Sequence, residues 1–438
     1  MVRFGYMSTS FKSYVKELFN IALPIIAGNL SFILIGVGDV LIAGRHSTDT
    51  LAAISIATAI TNCIQIFGIG ILTGISPLIS NYRGENITAE KYFYPTLRFS
   101  MFLALLGTIV TLLFIPVIDI LKFDPVLTPM IKQYMFVIAF STFGAYLQAC
   151  VREFLQAFEI VMFPNLISGL AVVLNVILNI IFVFGWGIIP SMGALGLAIA
   201  SFIVRYIMGA ILLIYCFRKM KLSNYSDYNY YKGLLKIGLP VSISIVVEFV
   251  AFNSVAVILG KISGIYAASQ NIICTLANAT FMVPLAISNA IAIKVGFANG
   301  AKNIPDIKRY AFTGITISIM FMGCCGVFYG TFPEQVIKIF TTDADLIKIS
   351  VPVVYILAMF QVFDGLQVSL SGVFKGIKKT GVVLFANFVG YWLIALPVGY
   401  ILAFKYGMNI RGFWYGLILA SMMLCVIMGG MLVRKLKG

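Results

Sequence analysis

Residues 234-LLKIGLPVSISIVVEFVAFNSVAVIL-259 decide the fold class of this chain. The only charged residues in the stretch are Lys236 near its start and Glu248 near its middle. A helix needs about 20 apolar residues to cross the hydrocarbon core of a bilayer. The stretch therefore predicts one membrane-spanning helix with a single acid near its centre.

Apolar runs of spanning length, separated by polar breaks, occupy most of the chain. Of its 438 residues, 61% are hydrophobic and only 11% are charged, whereas soluble domains are about 25% charged. This composition excludes a soluble enzyme, a disordered protein and a nucleic-acid-binding module. We predict an all-α integral membrane protein with twelve transmembrane helices. Their ranges are 18–44, 51–80, 95–118, 134–155, 162–185, 192–216, 234–259, 265–297, 310–332, 350–373, 381–404 and 412–433.

Lys and Arg are unevenly distributed between the predicted loops. With the N-terminus inside, 22 of the 31 basic residues fall on the inner side and 8 on the outer side, while Arg205 lies well inside a span. Because basic residues concentrate in cytoplasmic loops, we predict a protein of the cytoplasmic membrane with both termini in the cytoplasm. The net charge of +15 is then a feature of topology and lipid contact, with no nucleic-acid partner.

The two halves of the chain resemble each other weakly. The segment 22-ALPIIAG-28 matches 238-GLPVSIS-244, and 196-GLAIAS-201 matches 416-GLILAS-421, at an offset of about 216–220 residues. We predict a six-helix lobe over 1–222 and a second over 223–438, joined by a cytoplasmic linker at 217–233. Because six spans is an even number, a pseudo-two-fold axis along the membrane normal would relate the lobes.

Three acidic residues lie within predicted spans: Asp39, Glu248 and Asp364. A charge at the bilayer centre costs at least about 2.5–3.5 kcal/mol, so such residues usually serve a function. Gln361 and Gln367 lie three residues on either side of Asp364, on the same helical face. A face bearing Gln, Asp and Gln is predicted to line a cavity or a polar helix contact.

Other polar and aromatic side chains are candidates from their positions. Asn175 and Asn179, one helical turn apart, form either an interhelical hydrogen bond or a polar cluster with Asp39. The aromatic residues beside the acids either pack in the core or, with a carboxylate, enclose a lipophilic cation. These aromatic residues are Phe249, Phe252, Phe360 and Phe363.

Motifs for catalysis are missing from the sequence. It has no intramembrane histidine, no G-x-S-x-G segment and no Walker lysine loop. We therefore expect a protein that is not an enzyme and needs neither a cofactor nor an ATPase subunit. It is expected to act as a monomer on small organic cations, in contact with membrane lipid.

Five segments stand out by their order and spacing along the chain. They are 21-IALPIIAGNLSFILIGVGDVLIAGR-45, 238-GLPVSISIVVEF-249, 267-AASQNIICTLANATFMVPLAISNAIAIKVGFANG-300, 364-DGLQVSLSGVFKG-376 and 391-YWLIALPVGYILA-403. Together they resemble the MATE (multidrug and toxic compound extrusion) transporters, in particular their NorM branch. The resemblance covers nearly the whole chain, and it implies two six-helix lobes whose central cavity opens alternately to each side. It also implies antiport driven by H⁺ or Na⁺.

The resemblance also implies roles for single residues. Glu248 and Asp364 match the cation-site acids of the C-terminal lobe, and Gln270 matches a cavity position. The polar cluster of the N-terminal lobe is matched by Asp39, Asn175 and Asn179. One departure is Phe360, which stands where NorM proteins often carry a tyrosine, so one hydroxyl of the ion site is missing.

Competition for one negative charge explains how such a protein couples two cations. A carboxylate in a dry cavity accepts a proton readily because desolvation penalises its charge, and it binds Na⁺ when oxygens surround it. A cationic substrate needs the same charge, so release of one cation favours binding of the other. We therefore predict a secondary antiporter that exports organic cations and drugs.

Two choices stay open in this prediction. H⁺ is favoured over Na⁺ as the coupling ion because Phe360 and Phe363 crowd the turn around Asp364, although a Na⁺ site at Glu248 and Asp364 is the other possibility. The alternative function is a lipid-linked oligosaccharide flippase of a related two-lobe fold. A flippase would need cationic groups for a pyrophosphate headgroup, and Arg205 is the one basic residue well inside a span.

Overall fold

The structure, a computed structural model, describes residues 11–220, 222–223, 225 and 227–437. Within these residues the regular elements are helices, and the sole β-type pairing is an isolated bridge between Trp186 and Ile189. A 3₁₀-helix covers Ala89–Tyr92, and π-helical segments cover Phe388–Ala395 and Ile401–Lys405. The α-helices are α1 (Phe11–His46), α2 (Thr48–Leu72), α3 (Ile75–Gly84), α4 (Phe93–Phe114), α5 (Val117–Ile120), α6 (Leu127–Ala157), α7 (Met162–Phe184), α8 (Ala194–Lys219), α9 (Tyr228–Ile262), α10 (Gly264–Gly300), α11 (Ile304–Thr331), α12 (Pro333–Lys338), α13 (Ala344–Gly376), α14 (Thr380–Asn387), α15 (Leu396–Tyr400) and α16 (Ile410–Lys437).

Twelve helical stretches among the described residues are long and apolar enough to cross a membrane, which confirms the predicted number and order of spans. The second span differs from the prediction of one run, since α2 ends at Leu72 and α3 begins at Ile75. Pro77 lies just after this break, in the first turn of α3, where its missing N–H costs no helical hydrogen bond. The eleventh span is also irregular, because it consists of α14, α15 and the two π-helical segments.

The chain forms two compact units. One runs Pro24–Val246, and the other comprises the described residues up to Leu23 together with those from Val247 onwards. Each of α1 and α9 therefore contributes its first part to one unit and its second part to the other. These boundaries differ from the predicted lobes, 1–222 and 223–438, and the division of the protein into those two lobes stays a prediction.

Each unit packs its helices in the same order. In the unit Pro24–Val246, α6 is the central helix and packs against α2, α4 and α8. In the other unit, α13 takes this place and packs against α10, α11 and α16. These are the fourth, second, third and sixth spans of each half, so the packing supports the internal repeat.

Each unit also holds the start of one long helix by a buried tyrosine. In α1, the Tyr14 hydroxyl donates to Asp306 Oδ1 at 2.6 Å. In α9, Tyr230 is hydrogen-bonded to Thr96 and stacks on Tyr92, with 4.8 Å between ring centroids. The two tyrosines lie 216 residues apart and thus at equivalent positions of the repeat. The anchored start of α9 leads, about five turns further along, to Glu248.

Close backbone packing fixes the eleventh span against α16. A Cβ atom added to Gly416 of α16 would lie 2.5 Å from the carbonyl oxygen of Ala395 and 2.9 Å from the nitrogen of Gly399. Both atoms belong to the backbone, which cannot move aside as a flexible side chain can. Only glycine therefore allows the contact at this position.

We expect the substitution Gly416→Val to lower the free energy of unfolding by about 1–3 kcal/mol, the usual cost of overpacking. The measurement is the melting temperature of the purified protein in detergent. Gly429→Val is the matched control, because a Cβ atom at Gly429, also on α16, has open space around it. Equal melting temperatures for the two variants would show that the close contact is not important for stability.

Candidate functional site

Glu248 is the centre of a hydrogen-bonded cluster in the unit that contains residues from Val247 onwards. The hydroxyl of Tyr391 donates to Glu248 Oε1 at 2.9 Å. Gln367 Nε2 in turn donates to the Tyr391 hydroxyl at 3.0 Å. The three side chains come from α9, the first π-helical segment and α13. The cluster therefore ties one acid to two other helices.

Asp364 is the second acid of this cluster. It lies on α13, one turn before Gln367, and only 5% of its surface is exposed. No side chain among the described residues donates a hydrogen bond to it, and its charge interacts with that of Glu248. Two carboxylates that share a poorly solvated site cannot both stay ionised without compensation. Lys375 on the same helix supplies a positive charge that acts on Glu248, so it is Asp364 that calls for a proton or another cation.

Of the other residues predicted to bind substrate, Phe252 contacts the cluster, whereas Gln361 and Phe249 have other partners. The ring of Phe252 packs against Tyr391 at 5.9 Å between centroids. Gln361, although on the same helix as Asp364, donates to Thr280 Oγ1 at 2.9 Å. Phe249 is half-buried, and its carbonyl accepts a hydrogen bond from Asn253. The structure thus brings Gln367 and Phe252 to the two acids and gives Gln361 a different partner.

Gln270 and two of the aromatic residues lie in core contacts of the same unit. Gln270 is fully buried, and its Oε1 accepts a hydrogen bond from Trp414 Nε1 at 2.9 Å. The ring of Phe360 packs edge-on against Trp414 at 5.6 Å, and the Phe363 carbonyl accepts from the Cys425 thiol. Substrate binding by these residues stays a prediction.

The sequence did not point to Tyr391 as a functional residue. It is one of 21 tyrosines and lies 143 positions after Glu248, so no spacing rule connects them. Phe360 lacks the hydroxyl that NorM proteins often carry at that position, and the structure supplies a hydroxyl to Glu248 from Tyr391 in the eleventh span. The available signals for Tyr391 were its polar group within the apolar run 381–404 and its place at the start of the matching segment 391–403.

A second cluster lies in the unit Pro24–Val246. Asn179 Nδ2 donates to Asp39 Oδ1 at 2.6 Å and to Asn175 Oδ1 at 3.0 Å. The structure therefore brings together the three side chains that spacing placed on α1 and α7. The Asn175 amide also interacts with Asp39, whereas Asn179 Oδ1 is buried without a hydrogen-bond partner among the described residues, which leaves one acceptor for a ligand.

Arg205 is the basic residue of this second cluster. Its Nη1 donates to Ser141 Oγ at 2.9 Å, and its charge interacts with that of Asp39. A fixed cation near a carboxylate offsets part of the cost of keeping that carboxylate ionised in the membrane. The two clusters are therefore unlike, since Asp39 has a nearby cation and amide donors, while the described part of the chain gives Asp364 neither a donor nor a basic partner.

The described residues contain no group of three or more His, Cys, Asp or Glu side chains that could hold a metal ion. A Na⁺ ion at Glu248 and Asp364 would thus depend on two carboxylates with further oxygens from amides, hydroxyls, backbone or water. Gln367 and Tyr391 offer such oxygens, and the Na⁺ site stays a prediction.

Twelve apolar spans, an internal repeat and buried carboxylates within the spans are the features of a secondary membrane transporter. The model of the MatE family matches residues 24–181 and 240–401 of the chain. The chain belongs to the MatE family. Because the two matched regions begin 216 residues apart, they also support the predicted duplication.

Relatives with high coverage carry the NorM name. The probable multidrug resistance protein NorM of Mesorhizobium japonicum is 29% identical to this chain, over 97% of this chain and 94% of the relative. The multidrug resistance protein NorM of Aliivibrio fischeri is 25% identical, over 93% and 92%. These similarities confirm the resemblance to the NorM branch of the MATE transporters. The protein is thus an integral membrane transporter, while the lack of any enzymatic activity stays a prediction.

The fold also matches a solved structure over almost its full length. A mutant of the Vibrio cholerae MATE transporter VcmN aligns with a TM-score of 0.90 and 19% identity, covering 97% of this chain and 98% of that one. At this identity the likeness shows the fold alone. It confirms the all-α, twelve-helix class predicted from the sequence.

Proposed function

We propose that this protein is a secondary antiporter that exports small organic cations, drugs among them, in exchange for H⁺. The observation that carries the proposal is the cluster in which Glu248 is bonded to Tyr391 and, through it, to Gln367, with the buried carboxyl group of Asp364 one turn before Gln367. The pair of acids, Glu248 and Asp364, has a strong preference for one bound positive charge. The names of the NorM relatives, which are multidrug resistance proteins, support export as the direction.

Coupling follows from competition for this pair. When the pair holds a proton, its affinity for an organic cation falls, and when it holds the organic cation its affinity for a proton falls. If the pair faces the two sides of the membrane in turn, an inward proton gradient drives the organic cation outward. Alternation of two conformations supplies that exposure, since each ligand then biases the same equilibrium.

The contacts of the acids favour H⁺ over Na⁺. Glu248 Oε1 accepts a hydrogen bond from the Tyr391 hydroxyl, and Asp364 is only 5% exposed, with no donor among the residues that the structure describes. A proton needs a single carboxylate oxygen, whereas a hard metal cation needs a shell of several oxygens. Phe252 packs on Tyr391 and reduces the room for such a shell.

The second cluster is proposed as an additional coupling site. Asp39 and the two asparagines offer a carboxylate with one open acceptor, Asn179 Oδ1, nearby. We also propose that both termini are cytoplasmic, in line with the excess of Lys and Arg on one side. A monomer without an ATPase subunit is sufficient for this mechanism.

The test is efflux of a fluorescent organic cation from proteoliposomes in which each ion gradient is imposed separately. We expect efflux with an inward pH gradient in sodium-free buffer, and none in protein-free vesicles. Efflux that is absent under the pH gradient but begins with an inward Na⁺ gradient would replace H⁺ by Na⁺. Gradient-independent scrambling of a lipid-linked pyrophosphate, without cation efflux, would instead support the flippase.

A further inference from the structure

We propose that Tyr391 is a positioning residue whose hydroxyl group changes acceptor, from Glu248 to Gln367, when Glu248 takes up a proton. The inference rests on the proposed function in one respect, since it assumes that Glu248 takes up a proton during transport. It assigns a role to a residue outside the pair of acids. The role follows from the geometry of three side chains.

The hydroxyl of Tyr391 has one proton and two acceptors within reach. Glu248 Oε1 lies at 2.9 Å and Gln367 Oε1 at 3.5 Å, while Gln367 Nε2 donates to the hydroxyl oxygen at 3.0 Å. A tyrosine hydroxyl donates once and can also accept. With Glu248 ionised, the nearer acceptor, Glu248 Oε1, takes the proton. Once Glu248 carries its proton on Oε1, this atom donates to the Tyr391 oxygen, and the Tyr391 proton then turns to the other acceptor in reach, Gln367 Oε1.

Trp392, the residue after Tyr391, is hydrogen-bonded to the same turn of α9. The indole Nε1 of Trp392 donates to the carbonyl oxygen of Val247 at 3.2 Å. Two consecutive residues of the eleventh span therefore bind two consecutive residues of α9. The indole bond goes to the backbone and has no dependence on the charge of Glu248. It keeps Tyr391 in place while its hydroxyl changes acceptor.

The local fold explains why adjacent side chains can both reach α9. Tyr391 and Trp392 lie in the π-helical segment Phe388–Ala395, whose turns are wider than those of an α-helix. In a wider turn, neighbouring side chains are separated by a smaller angle around the axis. Pro397 follows the segment and cannot donate to the carbonyl four residues earlier, which favours the irregular turn. Such segments occur frequently at functional sites.

Two further charged groups act on Glu248. Asp364 and Lys375, both on α13, interact electrostatically with it and have opposite signs. Neither forms the contact to the Tyr391 hydroxyl, so both remain when that hydroxyl is removed. The loss of a donor to the ionised form then favours the protonated form of Glu248. Loss of the second acceptor, at Gln367, has the opposite effect, because the Tyr391 proton then has no second acceptor when Glu248 Oε1 is protonated.

The experiment follows the protonation of Glu248 directly, by infrared difference spectroscopy of the purified protein as a function of pH. The band of Glu248 is the one that disappears in the Glu248→Gln variant. We expect Tyr391→Phe to move the midpoint of this titration to higher pH by about one unit, a tenfold change in proton affinity. We expect Gln367→Met to move the midpoint to lower pH.

Tyr329→Phe is the matched control, because Tyr329 is a buried tyrosine of the same unit whose hydroxyl donates to the Leu276 carbonyl at 3.1 Å. Its midpoint should equal that of the wild type. Shifts of the same sign for Tyr391→Phe and Gln367→Met, or no shift in Tyr391→Phe, would overturn the proposal. The titration needs no transport, so opposite shifts without H⁺-driven efflux would contradict the antiport proposal alone.

Discussion

Replacement of Asp364 by Asn is expected to abolish gradient-driven efflux of organic cations, to the level of vesicles without protein. Asn has nearly the shape of Asp, so the packing of α13 should be kept. The substitution removes the buried carboxylate of Asp364, which can bind a proton or attract a cation. Without the second carboxylate, the pair no longer prefers one bound positive charge, and the two transported cations no longer compete. The measurement is initial efflux rate under an imposed pH gradient.

The control for this variant is Asp345→Asn, on the same helix. Asp345 lies in the first turn of α13 and is exposed, so its carboxylate is solvated and has no buried partner. We expect this variant to retain wild-type efflux at equal protein level in the vesicles. An Asp364→Asn variant that pumps at the wild-type rate would show that Asp364 is not a coupling acid.

The fold could be predicted from the sequence in its largest features. Apolar runs fix the number and order of spans because lipid requires every backbone group to be bonded within a helix. The irregular positions within the spans could not be predicted from the sequence. The break between Leu72 and Ile75 contains Thr73 and Gly74, ordinary residues of an apolar span, and the π-helical turns have no distinct composition. Both depend on how one helix packs against another.

Some residues of the candidate site could be predicted from the sequence, and others could not. Asp39, Glu248 and Asp364 could be found because the cost of a charge in the membrane makes each one conspicuous. Tyr391 could not, because its role depends on a contact with α9 across 143 residues. Gln270 shows the opposite case, since the resemblance to the MATE transporters implied a cavity position and the structure gives it a buried hydrogen bond from Trp414.

The second cluster, in the unit Pro24–Val246, is also expected to be needed for efflux. Asp39→Asn is expected to lower efflux at least about tenfold, because the carboxylate that accepts from Asn179 at 2.6 Å loses its charge. Asn179→Ala should lower efflux as well, since it removes the bond that holds Asp39 and the link to Asn175. As both changes disable the same cluster, the double variant should be little worse than Asp39→Asn alone.

A double-mutant cycle on efflux rates measures this coupling. We expect an interaction free energy of about 0.5–3 kcal/mol between Asp39 and Asn179, the range for residues in one hydrogen-bonded network. Asn165→Ala provides the matched cycle, because Asn165 is a buried asparagine of the same helix that donates to the Val161 carbonyl. It lies 14 residues before Asn179, about 21 Å along α7, so its effect should add to that of Asp39→Asn. Additive effects in both cycles would mean that the observed hydrogen bond plays no part in transport.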